Sequence, residues 1–182
     1  MLYSHYQPAL LLKEHVANVL RAAQSILANH SRFLQEKNPD LREITEFVAR
    51  MHDTGKATKQ FQIYIQDPLH YKENKKAKAH TAPSTWLVWK EACRAGYSPL
   101  KTLVSMLAVA GHHQGLHTQE ELPGMFLDLS TAKFLPEQIS SIDPQQACES
   151  IGIDISDSLS SPIELYEFLD DLEDNILKAL QK

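Results

Sequence analysis

Along the first half of the chain, apolar residues recur at intervals of three and four, the spacing of one buried helical face. Leu12, Val16, Val19, Ala23, Ile26 and Leu27 mark such a face between Pro8 and about His30, with His15 on the same stripe. Asn38-Pro39 makes a turn, and Asp40-Leu41-Arg42-Glu43 has the carboxylate-x-x-Glu form of an N-terminal cap. Leu41, Ile44, Phe47, Val48 and Met51 then carry a second helix to His52. Gly55 is expected just past that helix, where glycine adopts positive φ at little cost. A shorter helix over Thr58 to Ile65 turns Phe61, Tyr64 and Ile65 inward and stops at Asp67-Pro68. After a lysine-rich loop, His80 stands ahead of a helix start at Thr81-Ala82-Pro83-Ser84, with Trp86, Trp89 and Cys93 on one buried face and Gly96 at the end. Ser98-Pro99 opens the next helix, whose face of Leu100, Leu103, Val104, Leu107 and Ala108 leads into Gly111-His112-His113-Gln114-Gly115.

From Glu120 to Ser161 the pattern weakens. Pro123-Gly124, Asp143-Pro144 and Ser158-Leu159-Ser160-Ser161 read as turns around short apolar pieces. Ser161-Pro162-Ile163-Glu164 is a capping box, and Leu165, Phe168, Leu169, Leu172, Ile176 and Leu180 mark a final amphipathic helix with an acidic outer face. Nothing alternates as strands and no repeat is visible, so the predicted class is all-α, a helical bundle. The 182 residues, 43% of them hydrophobic, suffice for one core and a single domain over 1–182. There is no apolar run of about 18 residues and no secretion signal, which predicts a cytoplasmic protein without a membrane partner. Cys93 and Cys148 lack metal-knuckle spacing and read as reduced thiols.

The nine histidines change the picture. Both His52-Asp53 and His112-His113 are placed where a core helix ends, with a glycine close by, so their side chains are expected to gather at one pole of the bundle. With His15 and His80 this makes five imidazoles and one carboxylate, too many ligands for one ion. Mixed nitrogen and oxygen donors suit manganese, nickel, cobalt, iron or zinc, and the lack of thiolates argues against a structural zinc. Two ions bridged by Asp53 is the economical arrangement, and phosphoester hydrolysis is its natural reaction. Charge adds a candidate substrate surface. Residues 1–119 hold 15 Lys/Arg against 9 Asp/Glu, while 120–182 hold 3 against 14. Lys56, Lys72, Lys75, Lys76 and Lys78 could form a positive patch beside the His-Asp turn, attracting a polyanion. A solvated loop is the other reading of the same lysines.

These motifs, in this order, resemble the HD superfamily of metal-dependent phosphohydrolases, and within it the HD nuclease domain of the CRISPR-associated type I helicase-nuclease. The likeness covers roughly residues 1–117. It rests on His15, on His52-Asp53-Thr54-Gly55-Lys56 with Phe61-Gln62 after it, on His80 ahead of a helix, and on Gly111-His112-His113-Gln114-Gly115. The resemblance implies an HD-type bundle with its metal site at one pole and a single-stranded DNA endonuclease and exonuclease in CRISPR interference against foreign DNA. It implies a helicase, fused or separate, and an RNA-guided surveillance complex as partners. It also implies that His15, His52 and Asp53 hold one ion while Asp53, His80, His112 and His113 hold the other, with Asp53 and Lys56 catalytic and Lys56 on a substrate phosphate.

The family carries a later aspartate for which no matching motif is found. Asp170, Asp171 and Asp174 lie about 125° or more from the apolar centre of the last helix and should face solvent. Either the site is incomplete or this is the N-terminal piece of, or partner to, a helicase-containing protein. Two other readings stay open: an HD phosphohydrolase of nucleotides or cyclic dinucleotides, and a catalytically weak, metal-stabilised module docking a partner protein.

Overall fold

The computed structural model describes residues 1–72, 74–113, 115, 118, 121–160, 165–172 and 174, leaving aside the side chains of 30–36, 129, 130, 165, 166 and 171. It is a helical bundle. Helices α1 (Leu12–Lys37), α2 (Leu41–Met51), α3 (Lys59–Gln66), α4 (Thr81–Arg94) and α5 (Pro99–Gly111) form the part that carries the histidines. Helices α6 (Glu121–Leu127), α7 (Leu129–Ser140), α8 (Pro144–Ile151), α9 (Ser156–Ser160) and α10 (Leu165–Asp171) follow. A small antiparallel hairpin of β1 (Tyr3–His5) and β2 (Leu10–Leu11) precedes α1, with a cis Gln7–Pro8 bond in its turn. The helix expected from Pro8 therefore begins at Leu12. Strands this short leave no alternating pattern to read.

The most extensive helix pairs are α4 with α5 and α1 with α2, while α8 packs on α1. Trp86, Leu87, Met106, Leu122, Phe126, Leu135, Ile139 and Phe168 are fully buried in one continuous core. Phe168 joins the later helices to the earlier ones, its ring 4.7 Å from Trp89 and 4.6 Å from Phe126. Truncating such a ring to alanine costs about 3–5 kcal/mol. A buried carboxylate adds a polar clasp: Glu91 of α4 accepts from Ser158 of α9 at 2.5 Å and pairs with Arg94 at 2.7 Å.

Several expected details come out differently. Asp40 occupies the N-cap of α2 without a side-chain cap bond; with Glu43 it faces Lys101 of α5 instead. Cys93 is exposed, as are Ile26, Leu100 and Val104. Helix α5 is apolar on nearly every side, so its sequence could not single out the buried face, which is Thr102, Leu103, Ser105, Met106, Val109 and Ala110. Pro123-Gly124 lies inside α6 rather than in a turn, with Pro123 in the first helical turn, where its missing N–H costs no helical bond. At Asp143-Pro144 the expected turn is a helix start, with the Asp143 carboxylate accepting from Gln146 N–H. The capping box at 161–164 and the apolar positions Ile176 and Leu180 lie outside the described residues. No described helix is long and apolar enough to cross a membrane.

Candidate metal centre

Two helix ends set up the centre in the same way. His52 is the C-cap of α2, and its Nδ1 lies 3.0 Å from the Ala49 carbonyl. His112 is the C-cap of α5, with Nδ1 2.6 Å from the Val109 carbonyl. A carbonyl oxygen only accepts, so each Nδ1 is the protonated nitrogen and each Nε2 keeps its lone pair. Both lone pairs point at one carboxylate. His52 Nε2 lies 3.2 Å from Asp53 Oδ2, and His112 Nε2 lies 3.4 Å from Asp53 Oδ1. His15 comes from the first turns of α1 to within 2.8 Å of Oδ2, and His80, at the N-cap of α4, to 3.2 Å from Oδ1. His113 completes the set, its Nε2 2.9 Å from that of His80.

Asp53 itself is 1% exposed. Its ligand-competent atoms fall into two groups, His15-His52-Asp53 and Asp53-His80-His112-His113, with the members of each within 4.8 Å of one another. The structure thus brings together all six residues singled out in the sequence, one carboxylate oxygen serving each group. Asp53 Oδ1 and His112 Nε2 are buried without a hydrogen-bond partner, at a cost of about 1–3 kcal/mol for each such group. Acceptor facing acceptor is what a cation between them relieves, and the donor set suits a divalent transition ion. The residues present therefore fit the metal that the sequence implies.

The electrostatics agree with ligands held ready. Burial alone would raise the Asp53 carboxyl, but hydrogen bonding to the imidazoles whose Nε2 is free to donate, His15 at 2.8 Å foremost, holds it well below the usual carboxylate range. Burial pulls His80 down despite the opposing pull of Asp53. His113 is depressed to about 4, by burial first and then by His112 and His80. A neutral imidazole is the form that binds metal.

Lys56 is not on the surface. It is 5% exposed, with Nζ 2.8 Å from Asp53 Oδ2 and 3.3 Å from the buried Ser4 hydroxyl. It thus shares Oδ2 with His15 and His52. Lys72, Lys75 and Lys76 are exposed, whereas Lys78 is half-buried with its ammonium 3.1 Å from the centre of the Tyr64 ring. The end of their loop nearest α4 is tied down: the buried Gln138 amide donates to the carbonyls of Ala77 and Ala79 at 2.7 and 2.8 Å. Beside it a cavity of about 460 Å³ is lined by Lys76, Thr81, Glu121, Asp128, Thr131 and Gln138.

Gly55 corrects the expected backbone. It does not have positive φ but sits within a 3-10 turn, Thr54–Ala57. It is needed because α4 arrives there: an added Cβ would stand 3.0 Å from both His80 C and Ser84 N, and well inside that distance from the His80 oxygen. Its N–H donates to Ser84 Oγ at 2.8 Å. Ser84, Ser4 and Gln62 were not singled out as site residues in the sequence. Gln62 locks the turn by donating to the carbonyls of Lys56 at 2.7 Å and Tyr3 at 2.8 Å. The sequence carries no sign of these roles, because Ser4 and Ser84 meet Lys56 and Gly55 only through the fold, as Gln62 meets Tyr3. Asp170 and Asp174 are exposed, and among the described residues no further carboxylate joins His15 and His52. The side chain of Asp171 lies outside the described residues.

The family model described as "Cas3, HD domain" matches residues 4–161, most of the chain. The chain belongs to this Cas3 HD domain family. It is 31% identical over 138 residues to the CRISPR-associated nuclease/helicase Cas3 of Haloferax volcanii, covering 71% of this chain and 14% of that protein. The chain thus spans about one seventh of the length of that relative. Its fold is similar to that of the CRISPR-associated Cas3 HD domain protein from Methanocaldococcus jannaschii, with a TM-score of 0.54, 18% identity, and coverage of 95% of this chain and 86% of that one. At that identity the second likeness concerns the fold.

Proposed function

We propose that this Cas3 HD domain is a metal-dependent nuclease that hydrolyses phosphodiester bonds of single-stranded DNA, both internally and from ends, in CRISPR interference. The observation that carries the reading is the buried Asp53 carboxylate ringed by imidazoles whose lone pairs face it. His15, His52 and Asp53 would hold one divalent ion, and Asp53, His80, His112 and His113 the other. Bound there, such ions supply Lewis acidity that acidifies water and offsets charge building on a phosphate. The chain's own residues fix the rest. Ala49 and Val109 set the tautomers of His52 and His112. Lys56 balances part of the charge on Asp53 and would meet a phosphate brought to that carboxylate. Lys72, Lys75 and Lys76 offer backbone contacts that do not depend on base identity. A helicase unit, in the same or a separate chain, would feed the strand, and an RNA-guided complex would recruit the assembly; the relative's own name pairs nuclease with helicase.

The cavity of about 460 Å³, lined by Ala79 and Thr81 on either side of His80 in the chain though by none of the six residues of the centre, favours one competitor, hydrolysis of a free nucleotide, because it has the size of a small-ligand site. Circular single-stranded DNA and a panel of nucleotides, each incubated with manganese, cobalt, nickel, iron or zinc, separate the two. Linearisation of the circle, lost in His52→Ala, is the expected result. An intact circle beside a hydrolysed nucleotide would replace this reading with the competitor.

A further inference from the structure

A run of aromatic rings leads away from the centre through residues that take no part in holding a metal. His80 meets Phe61 edge to face at 5.4 Å, Phe61 meets Tyr64 at 6.1 Å, and Tyr64 meets Tyr71 at 5.5 Å with the rings 80° apart. Phe61 is buried, while Tyr64 and Tyr71 are half-buried, each with part of its surface outward. Lys78 packs on Tyr64 and lies 5.9 Å from the centre of Tyr71, so the two rings and the ammonium brace one another. The exposed Lys72, Lys75 and Lys76 belong to the same loop, whose end nearest α4 Gln138 holds against α7. Asn74 adds a local turn, accepting from Lys76 N–H at 2.8 Å. Half-exposed tyrosines, one on α3 and one in the adjoining lysine loop, are the elements that hold single strands without reading sequence: rings for bases, ammonium groups for phosphates. A loop serving solubility alone would need neither the braced rings nor the anchored backbone.

We propose that Tyr71 and Tyr64 form a base-stacking platform for single-stranded DNA, with Lys72, Lys75 and Lys76 on the phosphates beside it, so that the strand runs from this loop along the Phe61 side to the centre. The proposal rests on the nuclease reading for its substrate and adds to it the residues that hold the strand and the direction of approach. Lys78 thereby acts mainly on the rings, unlike the other three lysines.

The test is binding with metal chelated, by anisotropy of a labelled oligothymidine and of an abasic strand of the same length, across a salt series. Wild-type protein should hold the thymidine strand more tightly than the abasic one. Tyr64→Leu with Tyr71→Leu should bring thymidine binding down to the abasic level, a loss of roughly 30-fold for two stacked bases, with the salt slope unchanged. Tyr71→Phe should keep the affinity. Lys72→Gln, Lys75→Gln and Lys76→Gln together should weaken both strands and flatten the slope. Equal wild-type affinity for both strands, full thymidine binding by the leucine pair, or equal loss of both strands by that pair would each overturn the platform. Cleavage of the circular substrate is scored separately, so a failed nuclease reading leaves these measurements interpretable.

Discussion

Gly55→Ala adds a net CH2, a methyl in place of one hydrogen, at the point where α4 crosses the His-Asp turn. The new Cβ would stand 3.0 Å from His80 C and Ser84 N, against the 3.4 Å at which ordinary contact begins, and closer still to the His80 oxygen. All three neighbours are backbone, so no side chain can swing aside. Either the turn or the start of α4 must shift by on the order of 1 Å, and a displacement of that size at a catalytic group costs about 100-fold in rate. The shift would also stretch the Gly55 N–H bond to Ser84 and carry His80 off Asp53 and His113. Overpacking of this kind costs about 1–3 kcal/mol, which lowers Tm by roughly 2–12 °C for a chain of this size. The assay pairs calorimetric titration of manganese into metal-free protein with a melting curve. Metal affinity should drop about 10- to 100-fold, as when support behind a ligand is lost. Gly124→Ala is the control: its Cβ would meet nothing within 4 Å, and it lies in a helix, so it should be neutral or stabilising by about 0.5–1 kcal/mol. Wild-type metal affinity and Tm in Gly55→Ala would refute the steric account.

Three further outcomes are expected. His52→Ala should abolish cleavage with little change in helical far-UV signal, whereas Asp53→Asn should also lower Tm markedly, because it strands the buried Lys56 ammonium at about 3–5 kcal/mol; adding Lys56→Met should recover part of that loss, and a normal melting curve for Asp53→Asn would contradict it. Metal-free protein should lose stability as pH falls below 6.5, since His80 and His113 stay neutral when folded, His113 down to about 4, while the unfolded chain takes up protons; Asp53, held below its ordinary value, contributes only under about pH 4, and a level Tm from pH 7 to 5 would sink the argument. Metal counting should find the Asp53-His80-His112-His113 group filled before the His15-His52-Asp53 group, which offers fewer ligands and shares Oδ2 with Lys56; simultaneous filling by two tightly held ions would reverse this.

The helices with clean periodicity were readable because most positions of one face are turned inward: Phe47 and Met51 are buried on α2 as the pattern requires, although Ile26 at the far end of the α1 stripe is exposed. The candidate centre was readable for a related reason, since its ligands sit at ends of those same helices. Spacing fails where burial is decided by distant parts. Nothing local distinguishes Leu103 from Val104, yet one is 4% exposed and the other 42%. Pro123-Gly124 looks like a turn but belongs to a helix closed over the core by Leu122 and Phe126. Gly55 was picked for the right position and the wrong reason, because its constraint is the approach of α4 some 29 residues later.

His52 and His112 each stop up the last turn of a helix with the bond that fixes the direction of the ring. Aim and helix ending are thus a single degree of freedom. Because Met51 and Asp53 on one side and Val109 and Gly111 on the other are buried, both helix ends belong to the packed core, and any change that unwinds the last turn of α2 or α5 swings its imidazole off Asp53 with it.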